Sequence, residues 1–128
     1  MPAHYRTAVP YAADARTLPV RDLDAALPFY LSVMGFRVVS RSESAPHSAI
    51  LGRDDVEIGL AENGGDPEQE GCFFEVDNVE AAWTELRVNG LGQDAPSFRP
   101  EQRGHVAYKV FFVIAPDGLC YCLGERQD

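Results

Sequence analysis

At 128 residues, 45% of them hydrophobic, the chain suits one ordinary domain able to bury a core without metal or disulfide staples. Its formal net charge of -9 argues against nucleic acid or an anionic membrane as partner, since both would repel such a surface. The three cysteines, Cys72, Cys120 and Cys122, cannot all pair within one chain, and their spacing is neither a zinc ribbon nor a disulfide framework.

Residues 1–14 mix Pro2, Pro10, small residues and tyrosines without a period. They read as an arm that is loose or laid on a neighbour, ahead of a single domain spanning 15–128. The arm has no apolar run of signal-peptide length, and no later window reaches the length of a membrane span. With unpaired cysteines, a reducing cytoplasm is the expected setting.

Arg16–Arg21 reads as a short strand. Leu23, Leu27, Tyr30 and Met34 follow at spacings of four, three and four, which is one apolar helix stripe, with Asp22 or Asp24 as N-cap and Gly35 as the stop. Pro28 favours the later start, because proline in a helix interior costs about 3 kcal/mol. Phe36–Arg41 and Ser48–Leu51 read as strands, and Gly52–Asp55 turns the chain into a third, Val56–Leu60. Residues 62–71 carry no apolar side chain to bury and form the natural linker.

The pattern then restarts. Cys72–Val76 reads as a strand, Asp77 and Glu80 as a capping box, Val79, Ala82, Trp83 and Leu86 as a buried stripe, and Asn89-Gly90 as a left-handed stop. Setting Leu23 on Val79 pairs Asp24 with Glu80, Ala25 and Ala26 with Ala81 and Ala82, Leu27 with Trp83, and Tyr30 with Leu86, at an offset of 56 residues. The chain is therefore two copies of one unit, the first about 15–62 and the second about 71–125. Gly92–Gly104 reads as mostly loop, with room for a short strand near Ser97–Arg99. Val106–Ile114 is a strongly apolar strand, and Pro116-Asp117-Gly118 turns it into a return strand, Leu119–Leu123.

Three stretches together resemble the vicinal oxygen chelate superfamily of glyoxalases, extradiol dioxygenases and bleomycin resistance proteins. They are Val20-Arg-Asp-Leu-Asp24 with Phe29-Tyr30 and Met34-Gly-Phe36, Val76-Asp-Asn-Val79 with its helix, and Ala115-Pro-Asp-Gly118 with the last strand. The resemblance implies an α+β fold of two tandem βαβββ modules, forming a curled mixed sheet around a cleft that is commonly completed by dimerisation.

Metal-dependent relatives place a His or Glu on the inward face of the first, fourth, fifth and eighth strands of such a pair. Carried over from the shared motifs, those positions fall here on Ala15, Gly59, Gly71 and Cys122, with Glu57 the alternative on the fourth strand. Alanine and glycine offer no side-chain ligand, so no metal or other cofactor is expected.

Sheet alternation names what lines the cleft instead. If Gly71 faces inward, so do Phe73 and Glu75, together with Thr17, Glu57, Cys120 and Cys122, while Val56, Ile58, Leu60, Phe74, Val76, Tyr121 and Leu123 face the helices. Tyr108, Phe111 and Phe112 alternate along one strand, so about half of that set is expected in the core. The ligand-binding set is therefore Glu57, Phe73, Glu75, Tyr108, Phe111 and Cys122, with no catalytic residue named. Trp83 belongs to the core, and His4, His47 and His105 are surface residues away from the ligand positions.

The resulting expectation is a metal-independent, non-catalytic, homodimeric small-molecule binder of the bleomycin resistance type. A cationic antibiotic would suit the overall acidity. The competing expectation is a divalent-metal lyase, isomerase or dioxygenase resembling glyoxalase I.

Overall fold

The computed structural model describes residues 3–10, 17–44, 47–67, 70–91 and 98–127. They form nine strands and two helices, in an α+β arrangement of two hydrogen-bonded sheets. The first unit comprises β2 (Leu18–Pro19), α1 (Leu23–Pro28) extended by a wide turn over Phe29–Val33, β3 (Arg37–Ser42), β4 (Ser48–Arg53) and β5 (Val56–Ala61). The second comprises β6 (Gly71–Val76), α2 (Val79–Val88), β7 (Arg99–Arg103), β8 (Val106–Ile114) and β9 (Cys120–Arg126). Strand order is β2-β5-β4-β3 in one sheet and β6-β9-β8-β7 in the other, so the internal repeat is also a repeat of topology. In each unit the first strand runs parallel to the last, which is the pairing that the intervening helix permits.

A ninth strand breaks the symmetry. Tyr5–Pro10, the segment read as an arm, is β1, an antiparallel edge strand on β6 that pairs Val9 with Phe73 and Thr7 with Glu75. A bulge between Tyr5 and Thr7 sends Tyr5 into the core, where it is fully buried. Residues 92–97 lie outside the described residues, and the short strand expected near Ser97–Arg99 begins at Arg99. That strand is Arg99–Arg103, and Pro100 is tolerated because β7 is an edge.

The first helix starts two residues before the favoured Asp24, at the other candidate cap, and the second starts one residue later than expected. Asp22 caps α1 by accepting from Ala25 N–H, so Pro28 falls inside the helix. The next turn opens, with Met34 N–H reaching Phe29 carbonyl, and Gly35 ends it at φ 77°. Asn78, not Asp77, caps α2 through Ala81 N–H, and Asp77 instead accepts from His4 N–H.

The stripes Leu23, Leu27, Tyr30, Met34 and Val79, Ala82, Trp83, Leu86 are buried against the sheets. With them in one core lie the alternating residues Val56, Ile58, Leu60, Phe74, Val76, Tyr121 and Leu123. Two shared motif residues tie the units together there, since Tyr30 donates to Asp117 at 2.8 Å and its hydroxyl lies 2.7 Å from that of Tyr121. Among the described residues no helix is long and apolar enough to cross a membrane.

Candidate functional site

Alternation leaves each sheet a second face, turned away from the helices, and the two differ in chemistry. On the four-stranded sheet that face mixes small residues with Ile50 and Glu57: Gly59 lies opposite Ile50, Glu57 opposite Gly52, and Ala61 opposite Ser48. On the five-stranded sheet the registers place Phe73, Glu75, Cys120, Cys122, Tyr108, Val110, Phe112, Ile114, Arg99, Glu101 and Arg103 on one face.

Here a second, smaller apolar cluster forms. Phe73, Val110 and Cys122 are buried, and Tyr108 and Phe112 pack beside them half-buried. Phe73 and Tyr108 meet edge to face at 5.1 Å between ring centres, and the Tyr108 hydroxyl donates to Glu75 at 3.2 Å. Gly124 makes this packing possible. A Cβ there would stand 2.9 Å from atoms of both Phe73 and Val110, too close for any larger residue to leave the Phe73 ring and the Val110 side chain where they lie.

Two arginines lie over the cluster. The Arg103 guanidinium carbon stands 4.2 Å from the centre of the Phe73 ring and that of Arg99 stands 4.8 Å from the Phe112 ring, while Arg103 also pairs with Glu101 at 2.8 Å. Arg6, from β1, approaches Glu75 at 3.9 Å. Burial pushes the Cys122 thiol up to about 12, so it stays protonated at neutral pH, and burial together with the Glu75 charge raises the Tyr108 phenol.

Of the six residues expected to bind ligand, the structure gathers four on this face: Phe73, Glu75, Tyr108 and Cys122. Phe111 does not join them. It stands three positions from Tyr108 and so points to the opposite side of β8, where it packs edge to face on Trp83 and Phe98 in the main core. Phe112, four positions from Tyr108, is the residue that alternation puts in its place. Glu57 is exposed on the other sheet and lines a separate open depression with Arg37, Asp54 and Asp55. The arginines were missed because their strand read as loop. Their counting partners on β8 were the available signal, since Arg99 faces Val110 and Glu101 faces Tyr108.

The residues do not fit a divalent metal of the kind found in metal-dependent relatives. Ala15 lies outside the described residues. Gly59 and Gly71 are buried glycines, and Glu57 and Cys122 stand on different sheets. Cys122 is a protonated thiol packed against Phe73 and Val110. Among the described residues, no three His, Cys, Asp or Glu side chains come together in a way that could hold an ion.

Against this geometry the comparisons with known proteins are informative about fold and family. The family profile described as Glyoxalase/Bleomycin resistance protein/Dioxygenase superfamily matches residues 9–118. Among solved structures, a protein from the mobile metagenome of V. pseudocholerae is 19% identical at a TM-score of 0.69, covering 91% of this chain and 95% of its own. A bleomycin resistance determinant encoded on transposon Tn5 is 23% identical at a TM-score of 0.64, covering 88% and 96%. A bleomycin-binding protein complexed with bleomycin is 24% identical at a TM-score of 0.63, covering 90% and 98%. At these identities the structures share the fold. No curated protein sequence matches the chain.

Proposed function

The chain belongs to the glyoxalase/bleomycin resistance protein/dioxygenase superfamily, and from that premise we propose that it is a metal-independent small-molecule binding protein whose ligand lies on the aromatic face of the five-stranded sheet. The observation that carries this reading is the cluster of Phe73, Tyr108 and Phe112 on the side of the sheet away from the helices. Rings gathered there serve no helix packing, and flat apolar faces with a few placed polar groups are what organic ligands use.

Non-catalytic binding is favoured over metal-assisted lyase or dioxygenase chemistry by the donor set. The positions where such enzymes hold ligands carry glycines and a protonated thiol here. Relatives of the same fold include a protein solved with bleomycin bound, which supports an antibiotic as the kind of molecule bound. We further propose that the chain works as a homodimer in a reducing cytoplasm. The exposed Val9 and Ile114 beside the aromatic face give a second copy apolar surface to cover.

The test is calorimetric titration of the purified protein with a panel of bleomycin-type glycopeptides and planar aromatic antibiotics, with metal analysis of the same preparation. Binding of at least one compound is expected, weakened about tenfold or more by Tyr108→Ala and by Phe112→Ala, because ring anchors dominate such sites. Either a folded protein that binds none of the panel or a ligand indifferent to both substitutions would overturn the assignment. Stoichiometric metal in the preparation would return the metal-enzyme reading.

A further inference from the structure

The charge on the aromatic face runs against that of the molecule. The chain carries a net charge of -9, yet around the rings stand the guanidinium groups of Arg6, Arg99, Arg103 and Arg126, against the carboxylates of Glu75 and Glu101. Arg126 lies opposite Tyr108 in the β8–β9 register. Both carboxylates are already engaged, Glu101 with Arg103 at 2.8 Å and Glu75 with the Tyr108 hydroxyl and with Arg6. The contacts of the arginines with the rings are of another kind. A guanidinium is a flat, weakly hydrated cation, and those of Arg99 and Arg103 rest on the faces of Phe112 and Phe73 in the positions a flat ring would take.

From this juxtaposition we propose that the ligand is a planar aromatic anion, a fused-ring molecule bearing a carboxylate, rather than the cation that overall acidity suggested. The inference rests on the small-molecule reading above and names its ligand class. The ring system stacks on Phe112 and Phe73 as the two guanidinium groups swing off the rings, and the carboxylate is met by those same groups at the ring edge. Arg99 is exposed and Arg103 about one-third exposed, so both side chains have room to move. Binding then exchanges two cation–ring contacts for ring stacking and charge-assisted hydrogen bonds, the stronger pairing when the fork of a guanidinium meets a carboxylate. A cationic ligand would have to displace the arginines and then sit beside them, with both carboxylates already engaged.

The experiment uses three probes of one shape: anthracene-9-carboxylate, its neutral carboxamide, and the 9-anthracenylmethylammonium ion. Each is titrated calorimetrically into the full chain and into the Arg99→Gln, Arg103→Gln and Phe112→Leu variants, whose folding is checked by circular dichroism. The carboxylate is expected to bind about tenfold or more tighter than the carboxamide, and the ammonium ion weakest. Arg99→Gln and Arg103→Gln should each erase most of the gap between carboxylate and carboxamide. Phe112→Leu should weaken both alike.

Equal binding of carboxylate and carboxamide, or tighter binding of the ammonium ion, would overturn the anion assignment and leave the binding function standing. If none of the three binds while a compound of the antibiotic panel does, the ligand class fails and the function survives. If neither set binds, the function itself fails. Sedimentation at equilibrium supplies the last arm: a second copy is the occupant, and the proposal is wrong, if Arg99→Gln and Phe112→Leu shift self-association and leave every probe unbound.

Discussion

Tyr5 shows what a single buried polar atom can cost. Its ring stands edge to face with Phe36 at 6.0 Å, 5.5 Å from the Phe74 ring, and beneath the Arg53 guanidinium at 4.2 Å. The hydroxyl at the end of that ring is buried without a hydrogen-bond partner among the described residues. Burial also drives the phenol's pKa upward, so ionisation offers no escape from the unmet desolvation. A buried hydroxyl left unpaired costs about 1–3 kcal/mol, whereas the ring keeps its packing without it. Tyr5→Phe is therefore expected to stabilise the protein by about 1 kcal/mol, read as a higher urea midpoint at unchanged slope. A midpoint lowered by a similar amount would mean the hydroxyl has a partner after all. Gly35 makes the complementary case of a residue whose necessity was legible, because a helix stop at φ 77° favours glycine. What the sequence could not show is that a Cβ at Gly35 would also stand 2.7 Å from the Arg53 guanidinium.

At the scale of elements, β1 is the strand whose residues read as an arm in sequence, and the reason is distance along the chain. Its hydrogen-bonding partner β6 begins only after the whole first unit, so nothing local to residues 5–10 announces a strand. The amino-terminal end of β1 is held by acids from both units. Tyr5 N–H donates to Asp54 at 2.9 Å, Asp55 N–H to Tyr5 carbonyl at 3.1 Å, and His4 N–H to Asp77 at 2.9 Å. The His4 ring completes the clasp, its Nε2 standing 2.8 Å from Asp55. That hydrogen bond raises the imidazole pKa above 6.5, helped by the charges of Asp54, Asp55 and Asp77. A raised folded-state pKa means that the imidazolium's contribution is fully present below the unfolded value near 6.5 and fades as pH rises through the folded one. The anchor of β1 should loosen between mildly acidic and alkaline pH. Amide hydrogen exchange at Thr7 and Val9, corrected for intrinsic rates, should show protection falling as pH is raised, and His4→Gln should abolish that dependence. Unchanged protection across the range in the native protein would remove the clasp.

For the whole molecule, the fold was more legible than the site. Helix stripes, glycine stops and the offset between Leu23 and Val79 expose two copies of one unit, because each is written in residues close together in sequence. Face assignment followed from alternation and put Phe73, Glu75 and Cys122 together. It could not show that the units' sheets are hydrogen-bonded separately, which parts Glu57 from that set, nor that arginines would stack on the rings, which depends on side-chain paths across strands.

The same limit hides the joint between the units. Arg53, at the end of β4, is buried and reaches Glu85 on α2 with two 2.6 Å hydrogen bonds, then closes on the carbonyls of Met34 at 2.6 Å and Ala3 at 2.9 Å. First unit, second unit and amino-terminal segment thus share one guanidinium, whose donors satisfy groups that would otherwise be buried unpaired. Removing one partner of such a pair strands the other charge, at a cost of about 3 kcal/mol or more. Two copies of a unit could unfold one after the other, but a joint of this strength together with a shared core makes them a single cooperative body. The fluorescence of Trp83, the only tryptophan, reports on the second unit, and exchange at β4 and β5 amides on the first. Their urea transitions should coincide in the native protein. In Glu85→Gln both should move to lower urea together, by the equivalent of about 3 kcal/mol. Separate midpoints in the native chain, or a shift confined to one probe in the variant, would show that the two units are stable apart and that Arg53 only decorates their contact.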